Sequence, residues 1–273
     1  MQGMVNTEIT REQIKEIKRL HESKERAEKG LFLIEGVRLM EEALKEGVPM
    51  EQVIYTSRLE ETIRVSHLLV ALRKMHIQTY QVPEKVMEAV AGTENPQGVI
   101  AVARQLRWSL KDVANSKGPV IITCGLQDPG NLGTIIRTAD AGGCGGVITT
   151  HNTVDIYNLK VVRATMGSIF RLPVLKFEDP KEAISALKRE GYQIVATTAH
   201  SKTSYLNIDY MKPTAFLIGQ EASGIPDDLL ESADIKVFIP MKDGVESLNA
   251  AISASILIYE AFRQRIKDVR RET

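Results

Sequence analysis

Hydrophobic and polar residues alternate along the chain with two different periods. From residue 31 to residue 104, helical stretches are interleaved with short apolar runs typical of strands, namely LFLIEG, EQVIYT, QTYQVP and QGVIAVAR. A long polar stretch, TREQIKEIKRLHESKERAEKG, precedes these runs and is predicted as one helix. The pattern predicts a compact α/β domain over residues 1–105.

The second half of the chain repeats the alternation with the strand-like runs VIITCG, GGVITT, LPVLKF, YQIVATTA, AFLIG and IKVFIP. Continuous Val and Ile runs are typical of strands covered on both faces, as in a parallel sheet between helices. The helix after LPVLKF has clear ends, because Asp179 suits an N-cap, Pro180 suits the first turn and Gly191 ends the pattern. Residues 106–117 lose periodicity and are predicted as a linker to a second domain over 118–273.

Composition limits the class of protein more than its activity. The chain of 273 residues is 43% hydrophobic and 26% charged, with a formal net charge of zero. No apolar run approaches the ~20 residues that a membrane helix needs, and the N-terminus does not resemble a signal peptide. The only cysteines are Cys124 and Cys144, so we expect a reducing cytoplasm. Because the five histidines lack ligand spacing, we expect no metal and no membrane association.

A neutral chain that binds nucleic acid must use a local basic surface. The first predicted helix offers one, because four basic residues fall on one side at helical spacing: Arg11, Lys15, Lys18 and Arg19. A solvated face accounts for the same pattern, with these residues paired to Glu12, Glu16 and Glu22. Taken alone, the spacing favours this second interpretation and leaves the first open.

Three loops of the second domain carry residues that ordinary turns do not require. Their sequences are NLGTIIRTADAGG, LIGQEASGIP and IPMKDGVESLNAA, and each follows a predicted strand. The side chains that could carry chemistry are Asn131, Arg137, Glu221, Ser247 and Asn249. Singly, each fits a helix cap, a turn or a surface charge, with Asn131 and Ser247 as possible N-caps. Because all three loops follow parallel strands, we expect them to share one sheet edge, where α/β proteins form their sites.

The three loops do not have the pattern of a nucleotide phosphate loop. The chain contains no GxxxxGK[ST] sequence, and no GxGxxG follows the first strand of either domain. The glycine cluster AGGCGG at 141–146 ends a predicted helix instead of opening one. The sequence therefore predicts a ligand other than a phosphate.

The motifs resemble, in order and spacing, those of the SpoU (TrmH-like) branch of the SPOUT RNA methyltransferases. The matching patterns are N-x-G-x-x-x-R, G-x-E-x-x-G and I-P-M followed by S-L-N, within residues 118–265. KVVRATMGSIFRLPV is similar to a segment of ribosomal-RNA-directed members, while FLIEGVRLMEEAL and NPQGVIAVAR resemble the family's small N-terminal domain. The resemblance implies an α/β protein with a ribosomal-protein-like RNA-binding domain, a C-terminal parallel-sheet SPOUT domain with a trefoil knot, and a homodimer.

The resemblance implies transfer of a methyl group from S-adenosyl-methionine to a ribose 2′-hydroxyl of structured RNA, most simply ribosomal RNA. The expected cofactor residues are Thr197, Thr198, Ala199, Gly219, Ile239, Met241 and Leu248. The expected RNA-binding residues are Arg11, Lys15, Lys18, Arg19 and Arg163. The expected catalytic set comprises the five side chains of the three loops. A sulfonium donor without a phosphate agrees with the absence of phosphate loops.

The role of Arg137 stays open at this point. It matches the arginine proposed in the family as general base, yet a guanidinium remains protonated in proteins, so a clamp on phosphate or on the developing alkoxide is the alternative. Other readings of the whole chain are a non-catalytic RNA-binding protein, a transfer-RNA-directed methyltransferase and a Rossmann dehydrogenase. Glu221 argues against the first of these, because phosphate binding alone would not require a carboxylate. The target nucleotide is not visible in one sequence.

Overall fold

The computed structural model describes residues 8–59, 63–92, 95–220, 224–244 and 247–269. The chain divides into two compact units. The first unit combines Met1–Leu106 with Tyr157–Phe170, and the second combines Arg107–Ile156 with Arg171–Thr273. The segment Tyr157–Phe170 therefore groups with the first unit, although the sequence pattern assigns it to the second domain.

The elements follow the alternation expected from the sequence. The helices in chain order are α1 (Arg11–Arg19), α2 (Ser23–Lys29), α3 (Val37–Lys45), α4 (Ile63–Lys74), α5 (Glu84–Val90), α6 (Leu110–Asn115), α7 (Pro129–Ala141), α8 (Leu159–Ala164), α9 (Pro180–Arg189), α10 (Asp227–Ser232) and α11 (Ala250–Val269). The strands are β1 (Leu31–Glu35), β2 (Met50–Tyr55), β3 (Gln78–Gln81), β4 (Val99–Arg104), β5 (Val120–Thr123), β6 (Gly146–Thr149), β7 (Val174–Lys176), β8 (Gln193–Thr197), β9 (Thr214–Ile218) and β10 (Ile235–Val237).

The first unit is built on a mixed sheet in the order β1-β4-β2-β3. Strand β4 runs antiparallel to both β1 and β2, whereas β2 and β3 are parallel. Over the described residues between 31 and 104, the predicted strands and helices are confirmed, although residues 60–62 of the helix predicted over 57–76 lie outside the described residues. The prediction of one helix over residues 10–30 is wrong, because the chain forms α1 and α2 with a break between them.

Arg26 accounts for this break. Its side chain is buried, and Nη1 donates hydrogen bonds to the carbonyl oxygens of Leu20 and His21, both at 2.8 Å. Both carbonyls lie just beyond Arg19, where the chain has left α1, so a buried guanidinium that binds them stabilises the turn after this helix. A helical period does not reveal such a contact, because it comes from the next helix.

The segment Tyr157–Phe170 joins the first unit through aromatic and apolar contacts. The ring of Tyr157 packs on Phe32 with centroids 4.6 Å apart, and Phe170 approaches the same ring at 6.4 Å. The Tyr157 hydroxyl accepts a hydrogen bond from the Leu106 amide at 2.8 Å and donates to the Leu106 carbonyl at 3.1 Å. Leu159 of α8 shares an apolar cluster with buried residues of α1.

The segment 106–117, predicted as a linker, contains the short helix α6. Ser109 and Asp112 form a capping box, in which the Asp112 carboxylate accepts from the Ser109 amide at 2.7 Å. Val113 is fully buried in the core of the second unit. A helix of six residues is too short to show a helical period in the sequence, which explains why this element was missed.

The second unit is built on a six-stranded parallel sheet in the order β10-β8-β9-β5-β6-β7. The central strands β5, β6 and β9 are buried at every position, which confirms the interpretation of their continuous apolar runs. Side chains of α6, α9 and α10 join alternate strand residues in one apolar cluster. Helix α9 has the predicted start, because the Asp179 carboxylate accepts from the Lys181 amide and Pro180 begins the helix.

Helices α7 and α11 pack closely against each other in the second unit. A Cβ atom added at Gly142, which ends α7, would lie 2.2 Å from Ile258 Cγ2 of α11. The hydroxyls of Ser255 and Thr138 meet between the same helices at 3.5 Å. Glycine at position 142 therefore allows the approach that brings the two helix starts together. Within the described ranges, no helix of the chain has the length and apolar character of a membrane span.

Candidate functional site

The carboxyl ends of the parallel strands bring the three motif loops to one edge of the sheet. The strands β10, β8, β9 and β5 are adjacent in that order and parallel, so the chain leaves all four at the same side. The turn into α7 follows β5, the segment TTAH follows β8, and the two glycine-containing loops follow β9 and β10. The expected common edge is confirmed.

A cavity of about 160 Å³ lies at this edge. Its lining includes all seven residues expected to contact a cofactor, namely Thr197, Thr198, Ala199, Gly219, Ile239, Met241 and Leu248. Ile218 and Ile225 add further apolar surface, whereas Gln220, Ser247 and Ser253 add polar groups. An apolar pocket with few polar groups is the usual form of a small-molecule site.

The loop after β9 is closed by a pair of backbone hydrogen bonds. The Gln220 amide donates to the Gly224 carbonyl at 3.1 Å, and the Gly224 amide donates to the Gln220 carbonyl at 2.9 Å. A Cβ atom at Gly219 would lie 2.3 Å from the Gly224 carbonyl carbon. A side chain at position 219 would therefore displace this turn instead of only filling the cavity. Glu221, one of the expected catalytic residues, lies outside the described residues.

The start of α7 is set by Asp128. Its carboxylate accepts a hydrogen bond from the Asn131 amide at 2.7 Å, and Pro129 occupies the first helical position. Asn131 thus lies in the first turn of α7, and the alternative interpretation of Asn131 as an N-cap is wrong. Sequence reasoning missed Asp128, although the same Asp-Pro signal correctly located the start of α9.

Asn249 links the start of α11 to the start of α7. Its Oδ1 accepts from the amides of Ala251 at 2.9 Å and Ile252 at 3.2 Å, so Asn249, not Ser247, caps α11. Its Nδ2 donates to Asn131 Oδ1 at 2.9 Å. Because the cap occupies the oxygen of Asn249, Asn131 must present its own oxygen to Asn249. This polarity directs the Nδ2 donor of Asn131 away from Asn249.

Arg137 lies on a different side of α7. It is exposed, about 9 Å along the helix axis from Asn131, and does not line the cavity. Its side chain makes no hydrogen bond or ion pair with the residues that the structure describes. Of the expected catalytic residues, the structure thus joins Asn131 to Asn249 and places Ser247 at the cavity, but leaves Arg137 apart from them.

The thiol and metal chemistry of this edge is limited. Burial raises the pKa of the Cys124 thiol, directly after β5, to about 12. The group is therefore a neutral thiol at pH 7 and a poor nucleophile or metal ligand. Within the described ranges, no three His, Cys, Asp or Glu residues are placed to hold a metal ion.

The five expected RNA-binding residues all belong to the first unit. Arg11, Lys15, Lys18 and Arg19 are exposed on α1, and Arg163 is partly exposed on α8. The four side chains of α1 make no ion pair with described residues, and Glu16 instead contacts Lys29 at 3.3 Å. The alternative in which acidic neighbours neutralise this face is therefore not observed in the described part of the chain.

Family profiles match both parts of the chain. Residues 118–259 match the SpoU rRNA Methylase family, and residues 11–101 match the MRM3-like substrate binding domain. The first match contains the three loops of the sheet edge, and the second contains α1 and the mixed sheet.

Curated proteins and solved structures are similar over almost the full length. The 23S rRNA (guanosine(2553)-2'-O)-methyltransferase RlmP of Bacillus subtilis (strain 168) is 36% identical over 91% of this chain and 95% of its own. The 23S rRNA (uridine(2479)-2'-O)-methyltransferase of Streptomyces viridochromogenes is 33% identical over 88% and 85%, respectively. The crystal structure of the AdoMet-bound rRNA methyltransferase from Sinorhizobium meliloti has 33% identity and a TM-score of 0.83, covering 94% of this chain and 97% of that chain. The expected two-part α/β architecture is confirmed.

Proposed function

The chain belongs to the SpoU rRNA Methylase family, and from this premise we propose that it transfers a methyl group from S-adenosyl-methionine to a ribose 2′-hydroxyl of ribosomal RNA. The observation that carries the proposal is one cavity that gathers residues of all the expected cofactor segments at the edge where the three motifs meet. The two curated relatives are named for different nucleosides, so the target nucleotide does not follow from similarity.

The cavity suits the proposed cofactor. Its apolar walls, with Ile218, Ile225 and Leu248, fit an adenosine and a methionine chain, while Ser247 and Ser253 place polar groups in the lining. No phosphate has to be held, in agreement with the absence of a phosphate loop. When bound, the cofactor would supply a methyl group on a sulfonium: the ribose oxygen would take the methyl group, its proton would pass to solvent, and the donor would leave as the neutral thioether S-adenosyl-homocysteine. The residues of the chain hold the two reactants in line, and such positioning can lower the barrier by several kcal/mol.

Arg137 acts as a clamp in this proposal. Guanidinium groups are poor proton acceptors in proteins, so we do not assign Arg137 the proton of the 2′-hydroxyl. It can instead bind an RNA phosphate or the negative charge that develops on the ribose oxygen. Asn131, Ser247 and Asn249 orient the ribose beside the cavity, and the motif match adds Glu221 to this set.

The first unit binds the RNA in this proposal. The exposed face of α1, which forms no ion pair with other described residues, supplies Arg11, Lys15, Lys18 and Arg19, and α8 supplies Arg163. Cationic side chains without intramolecular partners can bind phosphates without first breaking an ion pair. The match of residues 11–101 to a substrate binding domain supports this role.

A homodimer completes the proposal. Ile252 and Tyr259 lie two turns apart on α11, and each is half exposed although apolar or aromatic. Thr134, Arg137 and Ala141 form an exposed line on the neighbouring helix α7. A second copy that covers these helices would bury the apolar side chains and bring partner residues to Arg137. We place the protein in the cytoplasm with its substrate, and we retain the family's trefoil knot as part of the proposal.

The first test is the reaction itself. We expect the purified protein to bind S-adenosyl-methionine in calorimetry and to transfer labelled methyl groups to ribosomal RNA at one 2′-O position, which reverse-transcription mapping identifies. Binding of a dinucleotide instead would indicate a dehydrogenase. RNA binding without transfer would indicate a non-catalytic protein, and labelling of transfer RNA alone would correct the substrate.

Replacing Arg137 tests the clamp. We expect Arg137→Ala to lower kcat on the order of 10²-fold with unchanged affinity for S-adenosyl-methionine, because a charge-stabilising contact forms mainly in the transition state. Arg137→Lys should restore little, since it lacks the planar fork. A clamp predicts the same fold-loss at every pH, whereas a base predicts loss of the rising limb of the pH–rate profile. Arg189→Ala, an exposed arginine of α9, is the control and should stay near wild type.

Reversing charge on α1 tests the RNA surface. We expect Lys15→Glu with Lys18→Glu to weaken RNA binding and to reduce the slope of log K against log salt by about 2, roughly 1 for each lost phosphate contact. Affinity for S-adenosyl-methionine should not change. Arg73→Glu with Lys74→Glu makes the same change of charge on the exposed side of α4 and serves as control. Equal salt slopes for the two double variants would show that the face of α1 does not contact RNA phosphates and is only a solvated surface.

Placing a charge on α11 tests the dimer. We expect Tyr259→Asp to give monomers in sedimentation and to lower methyl transfer, because a carboxylate would be buried without a partner at the interface. Ile63→Asp, at an apolar side chain of α4 that is 76% exposed, should leave the mass unchanged. A wild-type protein that sediments as a monomer during turnover would contradict the dimer without affecting the proposed reaction.

A further inference from the structure

We propose that Gln220 is a positioning residue that couples the cofactor cavity to the start of α7. The inference deepens the proposed function and rests on it. Gln220 lines the cavity, yet none of the three motif patterns includes its side chain. The residue acts through two loops, and we assign it no contact with the reacting atoms.

The sheet stops holding β5 and β9 together just before Gln220. The last ladder bond between these strands runs from the Cys124 amide to the Ile218 carbonyl at 2.8 Å. Beyond this hydrogen bond the two segments of the chain separate. The segment after β5 enters the turn before α7, and the segment after β9 enters the loop closed by Gly224. The Gln220 side chain bridges this divergence, because Nε2 donates to the Gly125 carbonyl oxygen at 2.9 Å. One amide thus extends the connection past the end of the sheet.

The backbone of Gln220 fixes this residue to the loop after β9. Its amide and carbonyl both pair with Gly224, which closes the loop at the cavity. A displacement of the side chain would therefore move the Gly219–Gly224 turn as well as Gly125. The bridge is partly buried, so the loss of its donor would leave the Gly125 carbonyl poorly solvated.

The position of Gly125 affects that of Asn131, an expected catalytic residue, because the segment between them is short and anchored. Gly125 adopts a positive φ of 71°, and a Cβ atom there would lie 3.8 Å from Gln220 Nε2. The next residue, Leu126, is fully buried and accepts a hydrogen bond from the Val154 amide at 2.8 Å. Asp128, two residues further on, caps α7 at Asn131. A short and anchored segment therefore separates the Gln220 bridge from Asn131.

The geometry predicts a specific kinetic effect. Loss of the bridge should loosen the cavity turn and the start of α7 together, and it should leave the basic face of α1 untouched. We therefore expect a higher KM for S-adenosyl-methionine and a lower kcat, with unchanged RNA affinity. Replacing a residue that only stabilised the fold would lower the melting temperature, but it would not change KM and kcat while RNA affinity stayed the same.

Gln193 offers a matched control at the opposite end of the same sheet. It begins β8, and its Nε2 donates to the Asp209 carbonyl at 2.9 Å and to Thr214 Oγ1 at 2.8 Å. Gln193→Leu therefore removes the same kind of side-chain donor from a loop carbonyl without touching the cavity. We expect it to lower the melting temperature and to keep both kinetic constants within about twofold of wild type, since the hydrogen bonds lost are structural.

The experiment compares Gln220→Leu, Gln220→Glu and Gln193→Leu in the full-length protein. We expect Gln220→Leu to lower kcat/KM for S-adenosyl-methionine on the order of tenfold, the effect of one lost partly buried hydrogen bond. Gln220→Glu should be worse at pH 8, because its carboxylate faces the Gly125 carbonyl with no donor. Calorimetry with S-adenosyl-homocysteine measures the loss of affinity in both variants without turnover.

The outcomes separate this inference from the proposed function. Equal kinetics for Gln220→Leu and wild type, or equal effects of Gln220→Leu and Gln193→Leu, would overturn the positioning role. A Gln220→Glu variant that binds S-adenosyl-homocysteine as tightly as wild type would also overturn it, because a carboxylate cannot supply the donor of the bridge. A wild-type protein that binds no S-adenosyl-methionine would overturn the proposed function, and this inference with it.

Discussion

Burial of the second sheet on both faces is the constraint on which the site depends. Strands such as β5 and β9 are covered completely, so their faces offer no place for an exposed polar group. Polar chemistry is left to the residues that follow the strands, and parallel strands put those residues at one edge. The cavity, the Gln220 bridge and the Asn131–Asn249 pair all lie just beyond strand ends for this reason.

Helix starts at this edge combine structural and functional tasks. Asn249 satisfies two orphan amides of α11 with its oxygen and uses its nitrogen to fix Asn131. Asp128 performs the capping of α7, which leaves the Asn131 side chain available for the contact with Asn249. The close approach of α7 and α11 at Gly142 makes this geometry possible, because bulkier packing would separate the helix starts. The two helices come together from positions 118 residues apart in the chain.

The strands and most helices could be predicted because apolar periods and caps are local signals, as at Asp179 and Pro180. Contacts made across the fold could not be predicted in the same way. The buried guanidinium of Arg26 divides the first helical stretch, and Tyr157 attaches its segment to the first unit through Phe32. The motif positions anticipated the lining of the cavity, but no spacing in the sequence could show that Gln220 bridges to Gly125.

In the proposed function, RNA binding and methyl transfer use different residues. The cations of α1 are exposed and form no ion pair with other described residues, so they can provide RNA affinity through phosphates, a term that falls with salt and carries little information about the reacting ribose. The side chains of Asn131 and Asn249 are fixed at the starts of α7 and α11, with the donor and acceptor of their hydrogen bond assigned. This arrangement is better suited to orienting one hydroxyl group than to binding a length of RNA. Within one chain, Arg137 belongs neither to the cations of α1 nor to this asparagine pair, because it is exposed on α7 and lies apart from the cavity. In the proposed homodimer, a second copy that covered the exposed residues of α7 and α11 would complete the surroundings of Arg137.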